Sequence, residues 1–318
     1  MTQTSRHIPF YLQMVDLLRN ALALLDEQGR EEVMQFIVSQ QNADGGFRDR
    51  GGKSDLYYSL FGGMMLRAKR PKTEDRRPEA GDGRPETGNR KREIEAPLPE
   101  LVEGRSLSDP ILILKQYVSK QSHSKVSGFI ERCCLSLLQK DLKFGWNKRI
   151  KSLWSLNLAF WKERHSINLS YRGFVLFLTL DAVLPFSGII KLGAKRILSR
   201  AQVDQHSPCS EVAAKVFLLK MMNQNGEKEQ ELLTSFVCNS GGFKAFQHLQ
   251  KADMLSTAVA LFALNYAGSD LRLLKPSCLD FIQSNFADGA FLSGDGDQTA
   301  DVEYTFYGLL ALGVLATG

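Results

Sequence analysis

The chain has 318 residues, of which 43% are hydrophobic and 24% charged, so it holds enough apolar material for a sizeable core. Its net charge of +5 is too small to indicate a nucleic-acid-binding protein. Five scattered cysteines do not predict a disulfide framework, and the first residues lack the apolar stretch of a signal peptide. We expect a cytoplasmic protein without a nucleic-acid partner, and leave peripheral membrane contact open.

Residues 1–70 contain N-terminal helices and a first structural unit. An amphipathic pattern around FIVSQQ is followed by the turn Gly45-Gly46-Phe47 and by the segment SDLYYSLFGGMML at 54–66. Paired glycines permit the backbone conformations of a tight turn, and Asp55 is suited to accept hydrogen bonds from the free amides of a helix start. The pattern predicts a helix, a turn and a second helix that begins at an Asp.

Residues 71–105 interrupt this pattern. They contain no aromatic residue, five of the chain's ten prolines, eight Lys or Arg and nine Asp or Glu. A segment of this composition cannot bury enough apolar surface to offset the entropy that ordering it would cost. We predict a disordered insertion between two helices.

The remainder of the chain, residues 106–318, has helical periodicity and no convincing strand. Its longest apolar stretch, 173–190, is interrupted by Asp181 and contains Pro185. Because a bilayer span needs about 20 consecutive apolar residues, we predict a buried helix followed by a turn at this place.

Two late segments align with residues 54–66 without gaps: ADMLSTAVALFAL at 252–264 and ADVEYTFYGLLAL at 300–312. In all three, an Asp is followed by a hydroxyl residue four positions later and by a Leu eleven positions later. Each segment also follows a Gly-rich turn that ends in Phe, and the last two of these Phe residues are 48 positions apart. Repeats of this length predict stacked helical hairpins with a shared core. The hydroxyl residues are Ser59, Thr257 and Thr305.

The turn, the Asp-led helix and the period near 48 resemble the prenyltransferase and squalene-cyclase repeat. Protein prenyltransferase β subunits, squalene–hopene and oxidosqualene cyclases and class II diterpene cyclases belong to that superfamily. The resemblance is clear over about 30–66 and 231–316 and faint between them. It implies an all-α fold, an α/α toroid of about six helical hairpins whose inner helices line a funnel, whereas the activity has to be argued from the site.

One chemistry of the superfamily depends on zinc. Its protein prenyltransferases hold the metal with an Asp-x-Cys at one inner helix and a His within Tyr-His-Thr at a later one. In the matching positions of this chain, Tyr57 stands where the Cys would be, and Tyr304 stands where the His would be. Tyrosine is not a usual zinc ligand. The resemblance therefore implies no metal site and argues against a zinc protein prenyltransferase.

The other chemistry begins with an acid. Class II cyclases carry Asp-x-Asp-Asp-Thr, whose middle Asp protonates an alkene or epoxide from a water-poor pocket. The run DVEYT at 301–305 shares the register of that motif and places Glu303 at the position of the proton donor. The run DGDQT at 295–299, which contains Asp295 and Asp297, also resembles the amino-acid sequence of the motif, but it begins six residues before the position that the repeat assigns to the motif. The resemblance implies Glu303 as the acid, with Asp301 and Asp55 as organising residues.

A simpler interpretation stays open for these acids, because carboxylates in the first turn of a helix stabilise its dipole without any further role. Aromatic residues also cluster at the starts of the same helices. Ring faces stabilise carbocations, although aromatic residues at helical spacing also occur as plain core. The predicted substrate-binding residues are Tyr57, Tyr58, Phe61, Tyr304, Phe306 and Tyr307.

Three functional hypotheses follow from the residues and the resemblance. The first is an isoprenoid-handling enzyme with acid-initiated, terpene-cyclase-like chemistry on a polyprenyl substrate, with no cofactor except Mg²⁺ if that substrate is a diphosphate. The alternative is a catalytically silent toroid that binds a lipid or a partner protein. The third is a prenyltransferase-like β subunit that needs an α-subunit-like partner.

Overall fold

A computed structural model describes residues 8–72, 109–122, 126, 128–145, 156, 169–184, 198 and 200–317. The predicted insertion thus lies, from residue 73 onward, outside the described residues, as do residues 185–190 of the apolar stretch. Helices make up most of the described chain. They are α1 (Phe10–Leu24), α2 (Glu27–Ser39), α3 (Leu56–Lys69), α4 (Pro110–Lys120), α5 (Phe129–Asp141), α6 (Leu169–Val183), α7 (Cys209–Met221), α8 (Glu227–Thr234), α9 (Met254–Ala267), α10 (Lys275–Ser284) and α11 (Val302–Thr317).

Two very short antiparallel hairpins accompany the helices. Strand β1 (Phe47–Arg48) pairs with β2 (Ser54–Asp55), and β3 (Phe286–Ala287) pairs with β4 (Ala290–Phe291). The first hairpin begins at the Phe that ends its Gly-rich turn, and the second contains its turn, so each lies between an outer helix and the inner helix that follows. The all-α prediction is confirmed, since the strands are only two residues long.

Six helices form a ring, in the order α3, α5, α6, α7, α9 and α11. Each of these inner helices contacts the inner helix that follows it in this order, and α11 contacts α3, so that the ring is closed. Helices α2, α4, α8 and α10 each precede an inner helix and form the outer layer. The segments that precede α6 and α7 lie largely outside the described residues. This arrangement is the predicted α/α toroid.

The hydroxyl residue of each repeat joins its turn to its inner helix. The backbone N–H of Phe243 donates to the Thr257 hydroxyl over 2.9 Å, and that of Phe291 donates to the Thr305 hydroxyl over 3.3 Å. The N–H of Phe47 donates to the Ser59 hydroxyl in the same way, over 2.9 Å. These phenylalanines are fully buried, so a hydroxyl at this position satisfies a backbone donor that water cannot reach.

Thr257→Val is expected to lower the free energy of unfolding by about 1–3 kcal/mol, because the buried N–H of Phe243 loses its acceptor while the side-chain volume is kept. Thr257→Ser keeps the hydroxyl and should cost only about 1 kcal/mol for the lost methyl group. Urea unfolding followed by circular dichroism measures both values. Equal losses in the two variants would contradict this role for the hydrogen bond.

The first glycine of each turn lies against the next outer helix. A Cβ atom added to Gly241 would lie 2.1 Å from the carbonyl oxygen of Ser277 in α10. In the last repeat, a Cβ atom on Gly289 would lie 2.4 Å from the carbonyl oxygen of Glu32 in α2. Because α2 belongs to the first repeat, this second contact joins the two ends of the ring.

Helix α1 lies across the end of the ring where the inner helices finish. Phe10 packs edge-on against Phe217 of α7 and Tyr266 of α9, with ring centroids 5.1 and 5.0 Å apart. Its backbone N–H donates to the Asp181 carboxylate of α6 over 2.7 Å. The polar residue that interrupts the apolar stretch therefore holds α1 in place, and α1 closes this end of the funnel.

Helix α6, Leu169–Val183, confirms the predicted buried helix within the apolar stretch as far as it is described. Among the described residues no helix is long and apolar enough to cross a bilayer. All five cysteines are free and buried, in agreement with the expectation that they form no disulfide framework.

Candidate functional site

The Asp residues that lead the inner helices act as N-caps. Asp55 accepts from the backbone N–H groups of Tyr57 (2.7 Å) and Tyr58 (3.2 Å) at the start of α3. Asp301 accepts from the N–H of Tyr304 over 2.8 Å at the start of α11. The capping interpretation accounts for both carboxylates. The starts of α3 and α11 lie at the same mouth of the ring, where Tyr57 contacts Glu303.

Arg50 bridges the first and last repeats at this mouth. Its guanidinium donates to Asp301 and to Asp297, each over 2.8 Å, and it lies over the ring of Tyr304 at 5.1 Å. Arg50 belongs to the loop between β1 and β2, some 250 residues before its partners. Nothing in the repeat pattern singles out this arginine, so the sequence alone does not identify it.

The two loop carboxylates are held in their ionised form. Hydrogen bonds from Thr299, and then Arg50, lower the pKa of Asp297, and a hydrogen bond from Ser293 lowers that of Asp295. Asp295 and Asp297 also accept from backbone N–H groups within their own loop. Neither carboxyl group is thus suited to donate a proton, although the run 295–299 that contains them resembles the sequence of the cyclase motif.

Glu303 has the opposite environment. The Tyr57 hydroxyl donates to its Oε1 over 2.9 Å, and the Tyr58 hydroxyl donates to its Oε2 over 3.3 Å. Burial raises the pKa of the Glu303 carboxyl above its ordinary value; the nearby Asp301 raises it further, and the two tyrosine hydrogen bonds lower it only partly. A carboxyl group with a raised pKa holds its proton to a higher pH, as a general acid must.

Buried phenols continue from Glu303 into the ring. The Tyr57 hydroxyl lies 3.2 Å from the Tyr307 hydroxyl, and burial raises the pKa of both groups as well as that of Tyr171 from α6. These phenols are therefore neutral at physiological pH. Tyr171 was not among the predicted residues, because the resemblance to the repeat is faint in the central part of the chain and gives no alignment for α6.

The ring encloses an apolar cavity of about 220 Å³. Four of the predicted substrate-binding residues, Tyr57, Phe61, Phe306 and Tyr307, form part of its wall. Tyr58, Tyr304 and Glu303 lie at the mouth and are not among the described residues that line the cavity. Its far end is closed by α1, which contributes two further lining residues that the sequence did not suggest, Tyr11 and Met14.

Aromatic rings make up much of the cavity wall. Phe61 stacks on Phe306 with centroids 4.3 Å apart, and Phe217 packs edge-on against Phe174 at 4.9 Å. Because cavities of about 150 Å³ hold a benzene ring, this one has room for a somewhat larger apolar group. Its chemistry suits a neutral hydrocarbon, and its ring faces suit a carbocation derived from one.

Carboxylates predominate at the part of the mouth where α3, α9 and α11 begin. Arg50 is paired there with two carboxylates, and Lys251 donates to the backbone carbonyl of Asp295 over 2.8 Å. Such a mouth repels a free diphosphate and accepts a neutral or cationic ligand. The carboxylates are Asp55, Asp253, Asp295, Asp297, Asp301 and Glu303.

Two of the positions that hold zinc in protein prenyltransferases carry phenols here, and Asp55 keeps the carboxylate of the third. Tyr57 donates to Glu303 and Tyr304 lies beneath Arg50, so both tyrosines have other partners. The described part of the chain contains no group of three or more His, Cys, Asp or Glu side chains that could hold a metal ion.

The fold and the site define an α/α toroid whose inner helices surround an apolar cavity with an acidic mouth. A family model described as the prenyltransferase alpha-alpha toroid domain matches residues 3–97 and 211–317. These two ranges together exceed half of the chain, and the chain belongs to this family, within the isoprenoid-related superfamily of prenyltransferases and terpene cyclases. No curated protein and no solved structure matches it.

Proposed function

We propose that this protein is an isoprenoid-handling enzyme that uses Glu303 as the acid in terpene-cyclase-like chemistry. The observation that carries the proposal is a half-buried carboxyl group of raised pKa at the edge of an aromatic, apolar cavity. Protonation of an alkene creates a carbocation, and the stacked rings of Phe61 and Phe306 provide π faces for it. Asp301 and Asp55 organise the mouth by capping α11 and α3.

The charge of the mouth indicates which substrates suit the site. A neutral isoprenoid enters without electrostatic cost, whereas a diphosphate would need Mg²⁺ to offset the surrounding carboxylates. The cavity of about 220 Å³ favours a short isoprenoid, or the end of a longer one. We therefore rank a short neutral polyprenyl compound above a free diphosphate and above squalene.

The alternative function is a silent toroid that binds a lipid without converting it. It is favoured by one observation: Glu303 is not among the described residues that line the cavity, whereas Tyr57, which donates to it, is. A bound ligand would then touch phenols rather than the carboxyl group. The two functions differ in turnover and agree on the cavity as the binding site.

The first experiment is incubation of the purified protein with geraniol, farnesol, squalene and the geranyl, farnesyl and geranylgeranyl diphosphates, with and without Mg²⁺. Mass spectrometry detects products, and native mass spectrometry detects retained ligand. We expect a cyclised or isomerised product from a short neutral substrate. Retention without any product would favour the silent toroid. The absence of both retention and product would contradict both functions for this chain alone, and would favour a β subunit that needs a partner.

A cavity-filling variant locates the binding. Val259 lines the cavity, so Val259→Trp is expected to lower ligand retention at least tenfold by occupying the space. Leu273→Trp places the same side chain at a position that is 92% exposed and should bind as the wild type does. Equal retention by the two variants would show that the ligand binds somewhere other than the cavity.

A further inference from the structure

Resting on the proposed function, we infer that Tyr57, and not Glu303, delivers the proton to the substrate. Glu303 is half-buried at the mouth and does not line the cavity, whereas Tyr57 does both things that a relay requires. Its hydroxyl is hydrogen-bonded to Glu303 Oε1 over 2.9 Å, and its side chain forms part of the cavity wall.

The direction of this hydrogen bond depends on the charge of Glu303. An ionised carboxylate only accepts, so the Tyr57 hydroxyl then donates to it. A protonated carboxyl group donates to the Tyr57 oxygen instead, and the Tyr57 proton becomes free to turn toward the cavity. Protonation of Glu303 thus frees the Tyr57 O–H group, which the ionised carboxylate otherwise holds.

Proton transfer along this pair balances without another reactant. The Tyr57 O–H bond breaks as a C–H bond forms from the alkene π electrons, which leaves a carbocation on the neighbouring carbon. In the same event the Glu303 O–H bond breaks and its proton passes to the Tyr57 oxygen. The raised pKa of the Tyr57 phenol agrees with this, because the phenol never has to carry negative charge.

The return of the proton uses the same pair. After rearrangement the carbocation loses a proton to the Tyr57 oxygen, and the Tyr57 proton passes to the Glu303 carboxylate, so that the product is an isomer of the substrate. Between turnovers Glu303 exchanges its proton with water at the mouth. The relay therefore lets Glu303 exchange protons with water at the mouth while the cavity itself stays free of water, which would trap the carbocation.

Tyr58 supplies the comparison that tests this inference. Its hydroxyl also donates to Glu303, over 3.3 Å, but Tyr58 is not among the described residues that line the cavity. Loss of either hydroxyl removes a hydrogen bond that lowers the pKa of Glu303, so both substitutions shift the pH profile of turnover in the same direction. Only the loss of Tyr57 interrupts the path to the substrate.

We expect Tyr57→Phe to lower the turnover plateau by about 10²–10⁴-fold at every pH, the range usual for a lost proton-transfer group, and Tyr58→Phe to lower it by less than about tenfold. In D₂O the wild type should place one deuterium in each product molecule. Native mass spectrometry with the same substrate checks that both variants still bind it, and thermal unfolding checks that both are folded.

The outcomes separate the inference from the proposed function. A Tyr57→Phe variant that binds the substrate and keeps its plateau, with only its pH profile shifted, would overturn the relay and leave Glu303 as the acid. Equal losses in the two variants would also overturn it. A wild type that converts none of the substrates would overturn the proposed function, and the relay with it.

Discussion

Glu303→Gln is expected to lower turnover of the protein's substrate by about 10²–10⁴-fold, a loss as large as that expected for Tyr57→Phe. The amide keeps the shape of the side chain and its contacts with the Tyr57 and Tyr58 hydroxyls but has no acidic proton. In the wild type, turnover should fall as the pH rises through the raised pKa of Glu303, at a midpoint above the ordinary value of 4.5. The variant should lose this dependence.

Stability distinguishes this loss from unfolding. Because the folded-state pKa of Glu303 is raised above its unfolded value, its stabilising contribution is present below pH 4.5 and is lost as the pH rises through the folded-state pKa. Glu303→Gln removes that loss, so the variant should be at least as stable as the wild type at pH 8. Urea unfolding at several pH values measures the difference.

The matched control is Asp297→Asn. This loop carboxylate resembles the cyclase motif in letters, but its lowered pKa keeps it ionised, and its contacts are with Thr299 and Arg50. We expect it to keep turnover within about tenfold of the wild type. If Asp297→Asn lost as much turnover as Glu303→Gln, the alignment of residues 301–305 with the cyclase motif would not have identified the proton donor correctly.

Gly289→Ala is expected to destabilise the fold by about 2–4 kcal/mol. Gly289 has a φ of +75°, which is costly for alanine, and the new Cβ would lie 2.4 Å from the carbonyl oxygen of Glu32. The atoms that the new Cβ would meet, the Glu32 carbonyl group and the Val33 nitrogen, belong to the backbone of α2 and cannot rotate away as a side chain can. The substitution therefore pushes α2 off the last repeat and opens the ring between its two ends.

Gly52→Ala separates the two causes. Gly52 has a similar φ of +82°, but no atom lies within 4 Å of the position of an added Cβ. This variant should lose only about 1 kcal/mol, the cost of the backbone conformation alone. Urea unfolding of both variants measures the difference. If Gly289→Ala cost no more than Gly52→Ala, the backbone of α2 would not be held rigidly against Gly289.

The repeat unit was predictable because its determinants are local. A Gly-rich turn, an Asp that caps the next helix and a hydroxyl four residues later act on backbone groups within about 15 residues, as the bond from Phe243 to Thr257 shows. The same locality makes register informative. It placed Glu303 at the mouth and separated it from Asp297, and the environments of the two carboxyl groups differ as that separation implies.

The site itself was only partly predictable. Tyr57 and Tyr307 line the cavity, whereas Tyr58 and Tyr304 are at the mouth. Tyr58 follows Tyr57 directly and therefore points in a different direction, and Tyr304 lies one helical turn before Tyr307. Arg50 was missed since its partners are about 250 residues away, and Tyr171 was missed since its helix has no recognisable register.

The sequence by itself determined the helical hairpin, the caps, the turn and the position of the candidate acid, all of which depend on neighbours along the chain. Only the tertiary structure decided that six inner helices close into a ring and that α1 covers one end of it. It also decided that a phenol stands between Glu303 and the cavity. Those contacts join helices as far apart as α3 and α11, and the periodicity of one helix carries no information about which helix it will face.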